Sequence, residues 1–160
     1  MSDGMNGPRA VDVILRDVVD DDLEVFFEQE QDPEATRRSR FPARERDRFM
    51  THWRTVVLGD PTVFVQAVVV DGVLAGNVVA WWEGERRFLG YWFGRAFWGR
   101  GVGTRALTLF LRAEKARPLH ADPFGGNTGS VRLLERCGFR RAGTVTHGED
   151  EHILFVLDER

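Results

Sequence analysis

The stretch that decides the fold of this chain is Phe88-Leu89-Gly90-Tyr91-Trp92-Phe93-Gly94-Arg95-Ala96-Phe97-Trp98-Gly99-Arg100-Gly101-Val102-Gly103-Thr104-Arg105. Its first half is apolar and typical of a strand, and its second half is a glycine-rich loop that opens into a helical pattern. The first N–H groups of a helix have no partner inside it, and the helix dipole favours negative charge there. Gly101 and Gly103 remove the Cβ atoms that would keep a ligand from the backbone. The stretch therefore predicts a site for a phosphate or pyrophosphate group.

Length and composition predict a single globular domain around this site. The chain has 160 residues, 42% hydrophobic and 29% charged, and we expect one domain over 1–160 with a frayed N-terminus at 1–10. The formal net charge of −3 gives no general attraction for nucleic acid or an anionic membrane. Cys137 is the only cysteine, so we expect no disulfide within the chain, no metal site built on cysteines and no metal cofactor. Lys115 is the only lysine, so nearly all the positive charge is on arginine. With no signal peptide or membrane-spanning run in the sequence, we expect a cytoplasmic protein.

The residues before the loop predict one strand, two helices and three more strands. A strand at Val11–Leu15 is followed by a helix that Asp21 and Glu24 begin with a capping-box spacing and that ends at Asp32-Pro33. We interpret the basic stretch Thr36–Phe41 as a solvated loop, with contact to substrate or cofactor phosphates as the alternative. A second helix begins at Pro42, and three antiparallel strands follow, at Phe64–Val70, Val73–Trp82 and Phe88–Phe93.

The residues after the loop predict two helices and three strands. A helix from about Val102 leads to a short strand at Leu119–Asp122, which should run parallel to Phe88–Phe93 because a crossover helix joins them. Asn127-Thr128 begins a second helix, and Gly138 is placed to end it in a left-handed conformation. Strands at Phe139–Thr146 and Ile153–Leu157 complete the order β-α-α-β-β-β-α-β-α-β-β. The fold class is therefore α/β of the α+β type, with a mixed, mostly antiparallel sheet and flanking helices.

Three kinds of phosphate-binding loop can be compared with this stretch. A P-loop requires a lysine before the Thr or Ser, and Gly103-Thr104 lacks it. The dinucleotide fingerprint G-x-G-x-x-[GA] is matched by Gly101–Ala106, with Asp122 at a suitable distance for a ribose contact. That fingerprint belongs on the first strand of a sheet with several parallel βαβ units, whereas three antiparallel strands precede it here.

The third kind of loop fits the whole second half of the chain. Trp98–Gly103 resembles the Q/R-x-x-G-x-G/A loop of the GNAT N-acetyltransferase superfamily. Asn127–Phe139 resembles the N-x-x-S…L-x-x-x-G-F segment of its ribosomal-protein N-terminal alanine acetyltransferase branch, and Gly90-Tyr91-Trp92 is similar to that branch as well. The element order agrees from about Val11 to Leu157. Trp98 stands where the wider superfamily has Gln or Arg, and this branch commonly has an aromatic residue there.

The resemblance implies a GNAT-like fold with a splayed parallel strand pair, and acetyl-CoA as the acetyl donor for a primary amine, by direct attack in a ternary complex. The backbone of Gly99, Gly101, Val102, Gly103 and Thr104, with the charge of Arg100, would bind the pyrophosphate. The pantetheine would lie between Trp92-Phe93-Gly94 and Leu119–Asp122, with Asn127 as a hydrogen-bond partner. A backbone N–H near Phe93 would polarise the thioester carbonyl.

The reaction also needs a base for the ammonium group and an acid for the leaving thiolate. Glu83 is our first choice of base, and Glu85, Glu30, His52 or a water chain are the alternatives. Ser130 stands where this branch has a hydroxyl, so the resemblance suggests it as the acid, with hydrogen bonding at the helix start as the equal alternative. The single tyrosine, Tyr91, is not on the helix where many superfamily members have one.

The acceptor is a small-molecule amine or a peptide or protein N-terminus, and the branch resemblance favours the latter. We expect neither nucleic acid nor membrane as a partner, and a monomer or homodimer. Two other functions are compatible with the loop. One is a non-catalytic CoA-binding sensor, and the less favoured one is a dinucleotide-binding oxidoreductase.

Overall fold

A computed structural model describes residues 12–158 of the chain, so the predicted frayed terminus at 1–10 lies outside the described residues. Seven strands form a single sheet, and five helices pack on it. The strands are β1 (Val13–Arg16), β2 (Phe64–Val70), β3 (Val73–Glu83), β4 (Arg86–Phe93), β5 (Leu119–Ala121), β6 (Arg140–His147) and β7 (Asp150–Leu157). The helices are α1 (Asp22–Glu30), α2 (Pro33–Ser39), α3 (Arg46–Thr51, extended by a π-helical segment, His52–Val57), α4 (Val102–Ala113) and α5 (Thr128–Arg136).

The sheet has the strand order β1-β2-β3-β4-β5-β7-β6. Every neighbouring pair is antiparallel except β4 and β5, which are parallel because α4 crosses between them. The predicted mixed, mostly antiparallel sheet with one parallel pair is therefore confirmed. The parallel pair lies at the centre of the sheet, where the two halves of the chain meet.

The helices cover both faces of the sheet and give the protein two hydrophobic clusters. On one face, the apolar side of α4 buries Leu107 and Phe110 completely against β2, β3 and β4, and α5 adds Leu134. On the other face, α1 and α3 enclose Phe26, Phe49 and Trp53 over β2 and β3. Successive side chains of β4 point to opposite faces of the sheet, so this strand contributes residues to both faces.

Two predictions about the first helices are wrong. Thr36–Phe41 is not a loop throughout, because residues up to Ser39 belong to α2, whose first turn is capped by the Asp32 side chain accepting from the Glu34 N–H. The next helix begins at Arg46 and not at Pro42. Asp21 precedes α1 but its side chain makes no capping hydrogen bond; the Asp22 carboxylate instead accepts from the Val19 N–H at 2.9 Å.

The later helix signals agree with the structure. Asn127 is the N-cap of α5, and Gly138, with a φ of +95°, follows the last turn as predicted. Within residues 12–158, no helix is both long enough and apolar enough to cross a membrane.

Candidate active site

The parallel strands β4 and β5 separate after a very short contact. Their paired residues are Arg87 with Leu119 and Phe88 with His120, and no further pair joins them. Beyond Phe88, β4 continues for five residues to Phe93. The carboxyl ends of two parallel strands thus diverge at the centre of the sheet, which is where open α/β sheets bind ligands.

The backbone of β4 offers free groups to this gap. The Gly94 N–H donates to the Ala75 carbonyl of β3 at 2.8 Å, on the side away from the gap. Because the N–H groups of successive strand residues point to opposite sides, the Phe93 and Tyr91 N–H groups face the gap. A peptide-like ligand arm can therefore pair with this edge, and the Phe93 N–H has the direction expected for polarising a carbonyl.

The glycine-rich loop lies directly after this edge. A short 3₁₀ turn, Arg95–Phe97, leads to Gly99 and Gly101, which have φ values of +72° and +78°. Gly101 is the N-cap of α4 and provides no side-chain cap, so the first N–H groups of α4, from Val102 to Thr104, keep no partner within the helix. A Cβ added at Gly99 or Gly101 would meet no atom within 4 Å. The space above these N–H groups is open, and Arg100 is exposed beside it.

The loop is held in place by both halves of the molecule. The Trp98 indole N–H donates to the Phe93 carbonyl at 2.9 Å, which folds the loop back onto the end of β4. A Cβ at Gly103 would lie 3.0 Å from a Leu133 methyl group, so glycine lets α4 approach α5 without displacing that side chain. The predicted pyrophosphate loop, the β4 edge and α5 therefore surround one gap.

The start of α5 brings two hydroxyl groups together across the gap. The Asn127 side chain accepts from the Ser130 N–H at 3.3 Å, which orients the first turn. The Ser130 hydroxyl shares a hydrogen bond with the Tyr91 hydroxyl from β4. Burial raises the pKa of Tyr91 more than the Ser130 hydrogen bond lowers it, so the phenol is protonated at neutral pH.

Tyr91 was excluded at the level of sequence because it is not on the helix. The alternation of side chains along β4 could have identified Tyr91 as a site residue. It places Leu89, Tyr91 and Phe93 on the face that packs against α4 and α5. A tyrosine on this face is long enough to reach the first turn of α5.

The first-choice base, Glu83, and its neighbour Glu85 lie away from this gap. Glu83 and Glu85 are exposed at the β3–β4 turn, and Glu83 pairs with Arg86, about 20 Å along β4 from Trp92. The structure therefore does not bring Glu83 together with the glycine-rich loop or with Ser130. Glu30 is buried and bound by Arg44, at 2.8 Å. Burial, and then the nearby Arg44 guanidinium, lower the pKa of His52, which lies on the π-helical segment.

A cavity of about 290 Å³ opens between α2 and the loop before α5. Its lining residues are Arg37, Arg38, Arg40, Phe124, Gly126, Asn127, Thr128 and Gly129. Arg38 lies over the Trp98 ring at 4.7 Å, and Arg40 lies over the Phe124 ring at the same distance. The basic stretch interpreted as solvated thus forms one wall of the site, because α2 carries it there.

Aromatic side chains line the gap on the face of the sheet that α1 covers. Trp92 donates its indole N–H to the Gln29 carbonyl at 3.1 Å, and its ring lies 6.0 Å from that of Phe41. Trp81 stacks on Phe88 and crosses Gly90, where a Cβ would come within 3.1 Å of the indole. Among the described residues, no three His, Cys, Asp or Glu side chains are arranged to hold a metal ion.

Comparison with known proteins agrees with this geometry. The model of the family described as "Acetyltransferase (GNAT) domain" matches residues 12–140. An aminoglycoside N(6′)-acetyltransferase type 1 of Klebsiella pneumoniae is 29% identical over 116 residues, which make up 67% of this chain and 56% of that protein. The chain therefore spans little more than half the length of this curated relative.

Solved structures share the fold at lower identity. The crystal structure of aminoglycoside acetyltransferase AAC(6′)-Ib in complex with coenzyme A superposes with a TM-score of 0.75, at 22% identity, covering 92% of this chain and 95% of that one. A GNAT-family acetyltransferase from Bacillus anthracis gives a TM-score of 0.74, at 18% identity, covering 91% and 94%. The architecture of strands and helices described above is that of these proteins.

Proposed function

The chain belongs to the GNAT acetyltransferase family, and from that premise we propose that it is an acetyl-CoA-dependent N-acetyltransferase acting on a primary amine, as a single domain over 1–160. The observation that carries the proposal is the gap between β4 and β5, which is open after two residue pairs and ends in the unpartnered N–H groups of the glycine-rich loop. A long substrate with a peptide-like arm and a pyrophosphate matches both features. We place the reaction in the cytoplasm.

Each part of the gap has a proposed role toward acetyl-CoA. Gly99, Gly101, Val102, Gly103 and Thr104 bind the pyrophosphate through N–H groups, and Arg100 adds charge. The edge formed by Trp92-Phe93-Gly94 pairs with the pantetheine, and Asn127 hydrogen-bonds it from α5. The Phe93 N–H polarises the thioester carbonyl. Ser130, with Tyr91 behind it, donates a hydrogen bond to the sulfur as the C–S bond breaks.

We further propose that the acceptor is a peptide N-terminus rather than an aminoglycoside. The relatives support an aminoglycoside by their names. The cavity supports the peptide by its charge, because three arginines line it and only two carboxylates among the described residues, Glu34 and Asp150, bind them. An aminoglycoside carries several positive charges, which this wall repels, whereas a peptide N-terminus carries a single one.

The activity is tested by free-thiol release from acetyl-CoA with tri-alanine and with kanamycin as acceptors. We expect kcat/KM to be higher for tri-alanine. We also expect Arg40→Gln to raise kcat/KM for kanamycin, because this substitution frees the Asp150 carboxylate to bind a positively charged acceptor. A kcat/KM that is higher for kanamycin in the wild-type protein contradicts the peptide proposal but supports acetyl transfer.

Two further outcomes separate the other functions. Tight binding of acetyl-CoA without thiol release across a wide panel of amines would identify a CoA sensor. Saturable binding of NAD(H) with no response to CoA would identify a nucleotide-dependent oxidoreductase, and the match of Gly101–Ala106 to the dinucleotide fingerprint would then be its cause.

A further inference from the structure

Two of the four histidines and one aspartate have no role in the function proposed above. Asp122 follows β5, and by the register of the parallel pair it lies across the gap from Gly90, two residues beyond the last pair. His147 ends β6, and His152 lies on β7 opposite Phe124. We call Asp122, His147 and His152 the histidine cluster.

The cluster lies on the face of the sheet that carries Trp92. Along β4 that face holds Phe88, Gly90 and Trp92, and along the paired strand it holds His120 and Asp122, since alternate residues share a face. His152 pairs with Phe124, which is two residues after Asp122 and on the same face. Phe124, whose ring lies 5.9 Å from that of His152, also lines the cavity between α2 and the loop before α5, so the cluster lies beside that cavity.

The hydrogen bond of His152 decides which nitrogen of its neutral ring carries the hydrogen. Its Nδ1 lies 2.8 Å from the Asp122 carbonyl oxygen. A carbonyl can only accept, so Nδ1 carries the hydrogen, and Nε2 of the neutral ring holds a free lone pair. Among the described residues, none forms a hydrogen bond with this Nε2.

The ring of His152 is also held by its neighbours. The His147 ring stands perpendicular to it at 4.5 Å, and the Phe124 ring lies edge-on at 5.9 Å. The His147 Nε2 is bound to the Asp122 carboxylate at 3.0 Å. The titratable and charged groups around the ring are therefore Asp122 from the end of β5, His147 from β6, and Arg40 from the end of α2, whose charge is paired with Asp150.

We propose that the Nε2 atom of His152 accepts the proton that the ammonium group of the acceptor must lose before it attacks. This inference rests on the proposed acetyl transfer. One proton moves from the ammonium nitrogen to Nε2, and the freed lone pair forms the C–N bond to the thioester carbon while the C–S bond breaks. A second proton leaves the same nitrogen and reaches the thiolate, so the products are the amide, the free thiol of CoA and one proton released from His152 to solvent.

The carboxylate of Asp122 supports this step without accepting the proton. It binds the His147 Nε2 and so holds the His147 ring perpendicular to that of His152, while the Asp122 backbone carbonyl accepts from the His152 Nδ1. The other proposed bases lack this arrangement, because Glu30 is bound by Arg44 and Glu83 is at the far end of β4.

The test compares His152→Ala and His152→Gln with Lys115→Gln, a control at an exposed side chain that follows α4. The probes are acetyl-CoA with tri-alanine and with kanamycin, of which the one that the wild-type protein uses is followed. We expect kcat to fall about 100-fold in both His152 variants, with acetyl-CoA affinity unchanged and the acid limb of the pH–rate profile lost. Added imidazole should restore part of the rate of His152→Ala only.

Other results overturn the inference. Rates within twofold of the wild type, with the same pH profile, would show that His152 only packs against Phe124. Loss of acetyl-CoA affinity in both variants would show that the ring holds the fold instead. If the wild-type protein binds acetyl-CoA but releases no thiol with any amine, the proposed function fails, and this inference fails with it.

Discussion

Among the single residues of the proposed phosphate site, Gly101 is needed for two reasons, its backbone conformation and the open space beside it. Its φ of +78° is costly for any residue with a side chain, and it stands at the N-terminus of α4 with open space where a Cβ would be. Gly84, at the β3–β4 turn, has a φ of +62° and equally open space, yet lies at the other end of β4. The two glycines therefore share their strain but not their position.

Gly101→Glu should abolish acetyl-CoA binding, because it places a carboxylate over the N–H groups proposed to hold the pyrophosphate. Both Gly101→Glu and the control Gly84→Glu should lose about 1–2 kcal/mol of stability from backbone strain. Isothermal titration with acetyl-CoA measures the difference. Equal affinity in the wild type and Gly101→Glu would show that this loop is not the phosphate site.

The shared hydrogen bond of Tyr91 and Ser130 leads to a second prediction. Tyr91→Phe and Ser130→Ala should each lower kcat about 10-fold while leaving acetyl-CoA affinity unchanged, because a hydroxyl donor to the leaving sulfur is lost or misdirected. The double variant should lose no more than the single ones, because the two hydroxyls act as a unit. Thr55→Ala removes an exposed hydroxyl far from the gap and is the control. Additive losses would mean that the two hydroxyls act separately.

At this scale the sequence predicts what is local and misses what is distant. Asn127 as a cap and Gly138 as a helix end depend on neighbouring residues only, and both were predictable. Tyr91 meets Ser130 across 39 positions of sequence, and Asp122 meets His147 across 25. Such meetings depend on how the strands are ordered in the sheet, which local patterns do not encode.

Among the elements, α2 is the clearest case of a helix that the sequence indicates and that our prediction missed, because we took Asp32-Pro33 only as the end of α1. Asp32-Pro33 ends α1, and the same pair begins α2, with Asp32 as the cap and Pro33 at the first helical position. Glu34 binds both Arg37 and Arg38 one turn later, which explains how a run of arginines becomes helical. The pairing holds the pKa of Glu34 at about 2. Charge alone had suggested a solvated loop.

The elements β4 and α4 are joined by a buried ion pair that supports the gap from its closed end. Arg87 donates to Glu114 at 3.0 Å and to the Thr62 carbonyl at 2.8 Å, and both side chains of the pair are 6% exposed. The pair is therefore taken out of water, where breaking one partner leaves the other charge uncompensated.

Arg87→Met should lower the free energy of unfolding by about 3–5 kcal/mol, and the double variant Arg87→Met with Glu114→Leu should lose much less. Urea denaturation measures both. The control is Arg54→Met, which breaks the exposed pair with Asp20 and should cost less than about 1 kcal/mol. A double variant as unstable as the single one would mean that Arg87 acts by packing alone.

For the whole molecule, the order of elements was predictable except for α2, because the other strands and helices each have their own periodicity. The predicted parallel strand Leu119–Asp122 follows from one crossover helix, and the structure has it as β5. The site was predictable only along the loop, since its other walls come from α2, β7 and the end of β5. These walls form by packing between elements distant in sequence.

A ligand that lies between β4 and β5 should stabilise the whole protein, because it bridges the two halves of the sheet. Acetyl-CoA at 100 times its Kd adds about 2.7 kcal/mol, which corresponds to a rise in Tm of about 5–10 °C for a chain of this size. Thermal unfolding followed with and without acetyl-CoA measures the rise. Gly101→Glu should show none, and a similar rise in that variant would contradict binding at the loop.

The short contact of β4 with β5 also has a mechanical consequence. β1 is at one edge of the sheet, and β7 lies on the other side of the β4–β5 contact. Tension applied at residues 12 and 158 therefore acts across the strands and pulls on the residue pairs of β4 and β5 one after the other. Only two residue pairs join β4 and β5, against three between β5 and β7, four between β1 and β2 and seven or eight between the other neighbours, so we expect β4 and β5 to separate first. The contact between β4 and β5 is thus the mechanically weakest part of the sheet, and a ligand bound between these strands should hold the two halves of the sheet together under load.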